Sequence, residues 1–132
     1  MSPHSESARG DDLPWVGRGK VRARARARGL DIRIEGLTTQ AKYYKPLVYE
    51  FFRKEFRLQP RHGDFEIRIL MEHAGEPPRL DLDNLAKALL DALTGHVFFD
   101  DSQVALLLVE RISGDRDKIS LQANLRQRPP QL

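Results

Sequence analysis

The chain contains no cysteine and no long apolar run, and these two absences exclude several classes of protein. Without cysteine there is neither a disulfide framework nor a thiolate metal site, so oxygen and imidazole are the remaining metal ligands. No apolar run approaches the ~20 residues that a helix needs to span a bilayer. The N-terminal segment lacks the apolar core of a signal peptide. We therefore expect a cytoplasmic protein with no membrane partner.

The positive charge of the chain is concentrated near its N-terminus. The formal net charge of the 132 residues is +3. Residues 1–30 carry seven basic and three acidic side chains, whereas the remainder carries 15 basic and 16 acidic ones. The remainder is therefore close to neutral, and a polyanionic partner would meet its basic contacts mainly in the leading segment.

The composition predicts a basic, disordered leader over residues 1–29, one domain over 30–127 and a flexible tail over 128–132. Within the leader, arginine alternates with alanine. If this segment is a strand, its arginines share one face; if it is a flexible arm, they contact phosphates; a low-complexity extension would do neither. The alternating arginines are Arg22, Arg24, Arg26 and Arg28.

Hydrophobic periodicity within residues 30–127 predicts four strands and two helices. Apolar and polar residues alternate over 30–36, 64–71 and 118–125, which is typical of strands. Residues 103–112 are nearly continuously apolar, which favours a buried strand that forms a hairpin with 118–125. Helical spacing occurs over about 45–56 and 82–93. The predicted fold class is α+β, with a small mixed or antiparallel sheet of about four strands packed with two main helices.

Acidic residues cluster at both ends of the second predicted helix. Asp81 and Asp83 lie at its start, and Asp100 and Asp101 follow its end. Carboxylates held close together repel one another, so such a cluster usually needs a cation to stabilise it. A hard divalent cation held by oxygens, with Lys87 beside it, suits chemistry on phosphates.

Each of these residues also has a simpler structural interpretation. Asp81 could cap the helix, and Asp83 with Lys87 could form an i,i+4 ion pair worth about 0.2–0.5 kcal/mol. The combination of residues favours a site over these separate roles, although the sequence does not decide whether both acidic pairs meet at the same end of the sheet. We assign no role to the scattered histidines, His4, His62, His73 and His96.

Three motifs give the chain a resemblance to a known family. They are Asp81-Leu82-Asp83-Asn84-Leu85-Ala86-Lys87, Asp91-Ala92-Leu93-Thr94 and Asp100-Asp101-Ser102-Gln103-Val104. In this order and spacing they resemble the RusA family of Holliday junction endodeoxyribonucleases over about residues 79–110. An isolated Asp-x-Asp motif would be weak evidence for this family, whereas the three motifs together are specific for it.

The resemblance implies an α+β nuclease domain over residues 30–127, a homodimer and Mg²⁺ dependence. It also implies paired nicks that resolve four-way, branched DNA in recombination and repair. The metal-binding acids of the family match Asp81, Asp83 and Asp101, and its essential lysine matches Lys87. Asp100 is a possible metal ligand, or a residue that contacts a ligand. The residues expected to contact DNA are Arg22, Arg24, Arg26, Arg28 and Arg79.

The segment 36–44 and the basic leader depart from the family pattern, which puts DNA positioning in question more than the chemistry. Two other functions stay open: a DNA-binding module without catalysis, and a metal-dependent nuclease of flaps or single strands. For the expected homodimer, Phe51, Phe52 and Leu107 are candidates for the contact surface.

Overall fold

The computed structural model describes residues 13–127 as five strands and two main helices. The strands are β1 (Val21–Arg26), β2 (Gly29–Glu35), β3 (Phe65–His73), β4 (Val104–Ser113) and β5 (Lys118–Leu125). The helices are α1 (Tyr44–Lys54) and α2 (Leu82–Leu93), and short 3-10 turns at Ala41–Tyr43 and Asp101–Gln103 precede α1 and β4. The α+β class is confirmed, with one strand more than predicted. No helix in this part of the chain is long and apolar enough to cross a membrane.

The five strands form one mixed sheet in the order β1-β2-β5-β3-β4. All neighbours are antiparallel except β3 and β4, which are parallel. The predicted hairpin of β4 with β5 is therefore wrong, because β3 lies between them. Their short connection crosses the end of β3, where the Gly114 N–H donates to the His73 carbonyl at 2.9 Å and the Asp115 N–H donates to the Glu72 carboxylate at 3.0 Å.

Strand β4 is an edge strand, which corrects the prediction that it is buried. Its outer side has no neighbouring strand among the described residues, and Leu107 and Leu108 are 44% and 51% exposed. The apolar run that suggested a buried strand instead leaves leucine side chains at the sheet edge.

Strand β1 lies within the segment predicted as a disordered leader, and this accounts for the additional strand. Val21 and Ala23 are buried and pair with Ile34 and Ile32 of β2. The strand interpretation of the arginine–alanine alternation thus holds for residues 21–26, and the ordered part begins well before residue 30. The predicted tail, 128–132, and residues 1–12 lie outside the described residues.

Both helices pack on the same face of the sheet and enclose a single core. Leucines of α2 at helical spacing, Leu85, Leu89 and Leu93, are fully buried, as the periodicity predicted. In α1, Phe51 and Phe52 are 4% and 0% exposed. Burial of each such side chain contributes about 1.5–3 kcal/mol. The two phenylalanines therefore belong to the core, and their suggested place on a dimer surface is wrong.

Candidate active site

The start of α2 presents two carboxylates to solvent because buried leucines fix the chain on either side of them. Leu80 and Leu85 are buried, whereas Asp81 and Asp83 are exposed. Asp81 occupies the N-cap position but makes no capping hydrogen bond; its carboxylate instead accepts from the Asn84 Nδ2 at 3.2 Å. The capping interpretation of Asp81 is therefore wrong for its side chain, which stays available to a ligand.

Lys87 lies one helical turn after Asp83, on the exposed side of α2. The ion pairs of the described residues do not include Lys87, either with Asp83 or with Asp91. The simple surface ion pair is therefore not formed. The Lys87 ammonium therefore has no acidic partner within 4 Å among residues 13–127.

The two acids before β4 have different surroundings. The carboxylate of Asp100 accepts from the Ser102 N–H at 2.9 Å, as part of a capping box with Gln103. The Ser102 hydroxyl, and after it the Ser102 N–H, holds the pKa of Asp100 below its usual range. The side chain of Asp101 makes no hydrogen bond within the described residues. Asp100 thus stabilises the turn, and Asp101 is the member of the pair free to bind a ligand.

Gln103 fixes this turn through its side-chain amide. Its Oε1 accepts from the Phe99 and Asp100 N–H groups at 2.8 and 3.1 Å. Its Nε2 donates to the carbonyls of Arg61 and Gly63 at 2.8 and 2.9 Å. No role for Gln103 was predicted from the sequence, although Asp100 followed by Gln three residues later is the spacing of a capping box.

The fold places the candidate residues around two neighbouring cavities. Asp83, Lys87 and Asp101 line a cavity of about 450 Å³, together with the apolar side chains of Leu82, Leu90 and Leu107. Asp81 and Lys87 line a second cavity of about 420 Å³, which also contains Arg79. The acids before and after α2 therefore meet at one end of the fold, and Lys87 lines both cavities.

The chemistry of these donors suits a hard divalent cation. Asp81, Asp83 and Asp101 supply exposed carboxylate oxygens, and neither cavity is lined by histidine. Oxygen ligands are those preferred by Mg²⁺ and Ca²⁺. Within residues 13–127, however, no three acidic or histidine side chains converge closely enough to form a metal site by themselves. Asp83 and Asp101 share one cavity, and Asp81 faces the other.

Two of the arginines expected to contact DNA are instead engaged within the fold. The Nε atoms of Arg24 and Arg26 lie 2.9 and 3.0 Å from the Asp31 carboxylate, which is largely buried. Arg26 also donates to the Asn124 side chain at 2.6 Å. The Trp15 ring lies 4.8 Å from the guanidinium carbon of Arg24. These contacts favour structural roles for Arg24 and Arg26.

The other predicted DNA contacts, Arg22, Arg28 and Arg79, are exposed. Their guanidinium groups form no ion pair with a described acidic residue. Of the three, Arg79 lies in the cavity of Asp81. The three arginines are therefore available to phosphates.

An α+β domain whose exposed carboxylates and unpaired lysine converge at one end has the chemical equipment of a phosphodiester hydrolase. The family model described as Endodeoxyribonuclease RusA matches residues 14–123. The chain belongs to the RusA endodeoxyribonuclease family, a family of DNA hydrolases that act on Holliday junctions. The match includes β1, which lies outside the domain predicted from the sequence. A comparison with curated proteins finds no significant match.

Proposed function

We propose that this protein resolves four-way DNA junctions by Mg²⁺-dependent phosphodiester hydrolysis, in recombination and repair in the cytoplasm. The observation that best supports this proposal is the position of Lys87. It lies between a cavity lined by Asp83 and Asp101 and a cavity lined by Asp81, without an acidic partner within the described residues. The Lys87 ammonium can bind a phosphate ester, and the carboxylates around it can bind a metal ion at the phosphate oxygens.

Asp83 and Asp101, which share a cavity, would hold the metal ion together with Asp81 from the neighbouring cavity and with phosphate oxygens of the DNA. When bound, the ion would activate water and offset charge on the phosphate. Asp83 and Asp101 line the same cavity as Lys87, which supports a role for them beside the phosphate that its ammonium would bind. Lys87 would hold the scissile phosphate and stabilise the charge that develops there during hydrolysis. Gln103 would maintain the position of Asp101 by fixing the turn around it.

The alternative of a DNA-binding module without catalysis is disfavoured by membership of an endodeoxyribonuclease family. The alternative of a nuclease specific for flaps or single strands keeps the same chemistry and differs in substrate. Arg22, Arg28 and Arg79 are the proposed contacts to the arms of branched DNA, since each is exposed and unpaired within the described residues.

The proposed active unit is a homodimer joined along β4. A long, apolar, unpaired edge strand is a liability unless something covers it, and β4 has ten residues with exposed Leu107 and Leu108. Leu107 also lines the cavity of Asp83, Lys87 and Asp101. Antiparallel pairing of two copies of β4 about a two-fold axis would therefore bring two sites to one surface, which suits a substrate with the symmetry of a four-way junction.

A cleavage assay tests this function directly. A synthetic four-way junction, a flap and a linear duplex of matched sequence are incubated with the protein while Mg²⁺ is varied. We expect paired nicks in the junction only when Mg²⁺ is present, and little cleavage of the duplex. Flap cleavage at least as fast as junction cleavage would favour the second candidate instead.

A further inference from the structure

The cavity that contains Asp81 is lined by four cationic side chains from separate parts of the fold. Lys42 belongs to the 3-10 turn before α1, and Lys45 to the first turn of α1. Arg79 precedes α2, and Lys87 lies within it. The packing of α1 beside α2 therefore assembles a basic surface that no single segment of the sequence contains.

None of these four cations forms an ion pair with a described acidic residue, although the carboxylates of Asp81 and Asp91 line the same cavity. By contrast Lys54, also on α1, lies 3.6 Å from the Glu50 carboxylate. Cations that converge without partners repel one another, so an anion bound among them is stabilised. The cavity volume of about 420 Å³ lies in the range of pockets that bind small molecules.

We propose that this cavity binds the phosphodiester backbone of the cleaved strand immediately beside the scissile phosphate, with Lys42 and Lys45 as its principal contacts. The proposal rests on the proposed nuclease function, because it needs a DNA strand at Lys87. Since Lys87 lines both cavities, a strand whose scissile phosphate lies at its ammonium extends on one side toward Lys42 and Lys45.

In this arrangement Lys42 and Lys45 are positioning residues. They contact phosphates next to the cut, and they orient the strand so that the scissile bond faces Asp83 and Asp101.

The test uses the full-length protein and a synthetic four-way junction. Junction affinity is measured in EDTA, and cleavage in Mg²⁺, for wild type, a Lys42→Ala/Lys45→Ala double variant and Lys54→Ala. Lys54→Ala is the control, because it removes an exposed lysine of α1 that lies outside the cavity. All three lysines are exposed, and circular dichroism checks that each variant is folded.

We expect the double variant to bind the junction about 10-fold or more weakly, and the control to change less than about twofold. The slope of log K against log salt should become shallower by about 1.4 to 1.8 in the double variant, since each phosphate contact contributes about 0.7 to 0.9. The loss should lie in KM more than in kcat.

Single neutral methylphosphonate linkages beside the cut identify the contact. Each should weaken wild-type binding and have little further effect on the double variant, because the interaction is already lost. Equal losses in the double variant and the control, or additive effects of the linkages, would overturn the proposal. If only the double variant loses affinity and even the wild-type protein cleaves no junction, the cavity is supported as a DNA contact and the proposed function is refuted.

Discussion

At the scale of single residues, Lys87 is the side chain that the two cavities of the site share. It lies beside Asp83 and Asp101 on one side and Asp81 on the other, and it pairs with none of them. An i,i+4 ion pair with Asp83 would have neutralised the charge of Lys87 within the helix. The absence of this pair leaves the ammonium available to the proposed phosphate and the carboxylates available to the proposed metal ion.

Asp83→Asn should abolish junction cleavage while junction binding persists or becomes tighter. The change removes the charge of a proposed metal ligand and relieves its repulsion from DNA phosphates. Cleavage rates and electrophoretic mobility shifts on one synthetic junction measure both properties. Asp115→Asn, an exposed turn residue distant in sequence, is the control. Near-wild-type cleavage by Asp83→Asn would remove this residue from the mechanism.

Lys87→Ala should lower the turnover of bound junction by about 100-fold or more while affinity changes by only a few fold. One lysine adds little to a summed attraction between many charges, but charge stabilisation at the cut site has no distant substitute. Single-turnover kinetics at saturating protein separate the two effects. If affinity falls and the rate of bound substrate is unchanged, Lys87 is only a phosphate contact.

At the scale of elements, the turn between α2 and β4 determines where Asp101 lies. Gln103 anchors this turn to residues 61 and 63, and Asp100 caps it. A β-bulge at the start of β4, where the register to Phe65 and Glu66 of β3 shifts, follows directly. Bulges often re-aim side chains beside active sites.

Gln103→Ala should destabilise the fold by about 1–3 kcal/mol, because it leaves backbone groups of the turn without partners. It should also lower kcat more than it raises KM, since Asp101 loses its fixed position. Urea unfolding and steady-state cleavage measure the two effects. Gln103→Glu keeps an acceptor for the Phe99 and Asp100 N–H groups but places a second oxygen against the Arg61 and Gly63 carbonyls, so it should not recover the lost stability. A stability loss with unchanged kcat would show that the turn does not position Asp101.

Asp100 should make the stability of the turn depend on pH in a definite direction. The Ser102 hydroxyl and N–H stabilise the ionised carboxylate, so the folded-state pKa lies below the unfolded one. The contribution is therefore present above the unfolded pKa and is lost as pH falls through the folded pKa. The difference in melting temperature between wild type and Asp100→Asn, measured from about pH 6 to about pH 2, should shrink on acidification. A constant difference would contradict this role.

At the scale of the whole molecule, the parallel pair β3–β4 leaves β4 at the sheet edge. The same arrangement brings Leu107 against the opening that contains Asp83 and Asp101. The candidate dimer surface and the candidate site are therefore continuous. Two sites joined in this way could act on opposite strands of one junction.

Leu108→Lys should convert the proposed homodimer into a monomer. Charged residues, especially lysine, block the pairing of exposed edge strands. Light scattering of the free protein at micromolar concentration gives the mass, and junction assays should show single nicks in place of paired ones. Leu13→Lys, at a residue that is 53% exposed away from β4, is the control. A wild-type monomer that still makes paired nicks would refute the homodimer.

Periodicity and motif spacing in the sequence were sufficient for the class of fold and the candidate residues. The stripe of Leu85, Leu89 and Leu93 specifies α2 whatever its surroundings, because side chains three or four residues apart share one face. Asp81, Asp83 and Lys87 then follow from their places on that helix. Period-two alternation predicted β2, β3 and β5, because alternate residues of a strand lie on one face.

Which elements are neighbours was decided only by the tertiary structure. An apolar strand such as β4 has the same hydrophobic pattern at the edge of a sheet as in its centre, so its sequence does not predict its neighbours. An arginine-rich strand such as β1 reads as a disordered arm until Asp31 is brought beside Arg24 and Arg26. The cavity of Lys42, Lys45, Arg79 and Lys87 likewise exists because α1 packs beside α2. Local sequence specifies local conformation, whereas pairing and burial depend on contacts between segments far apart in the chain.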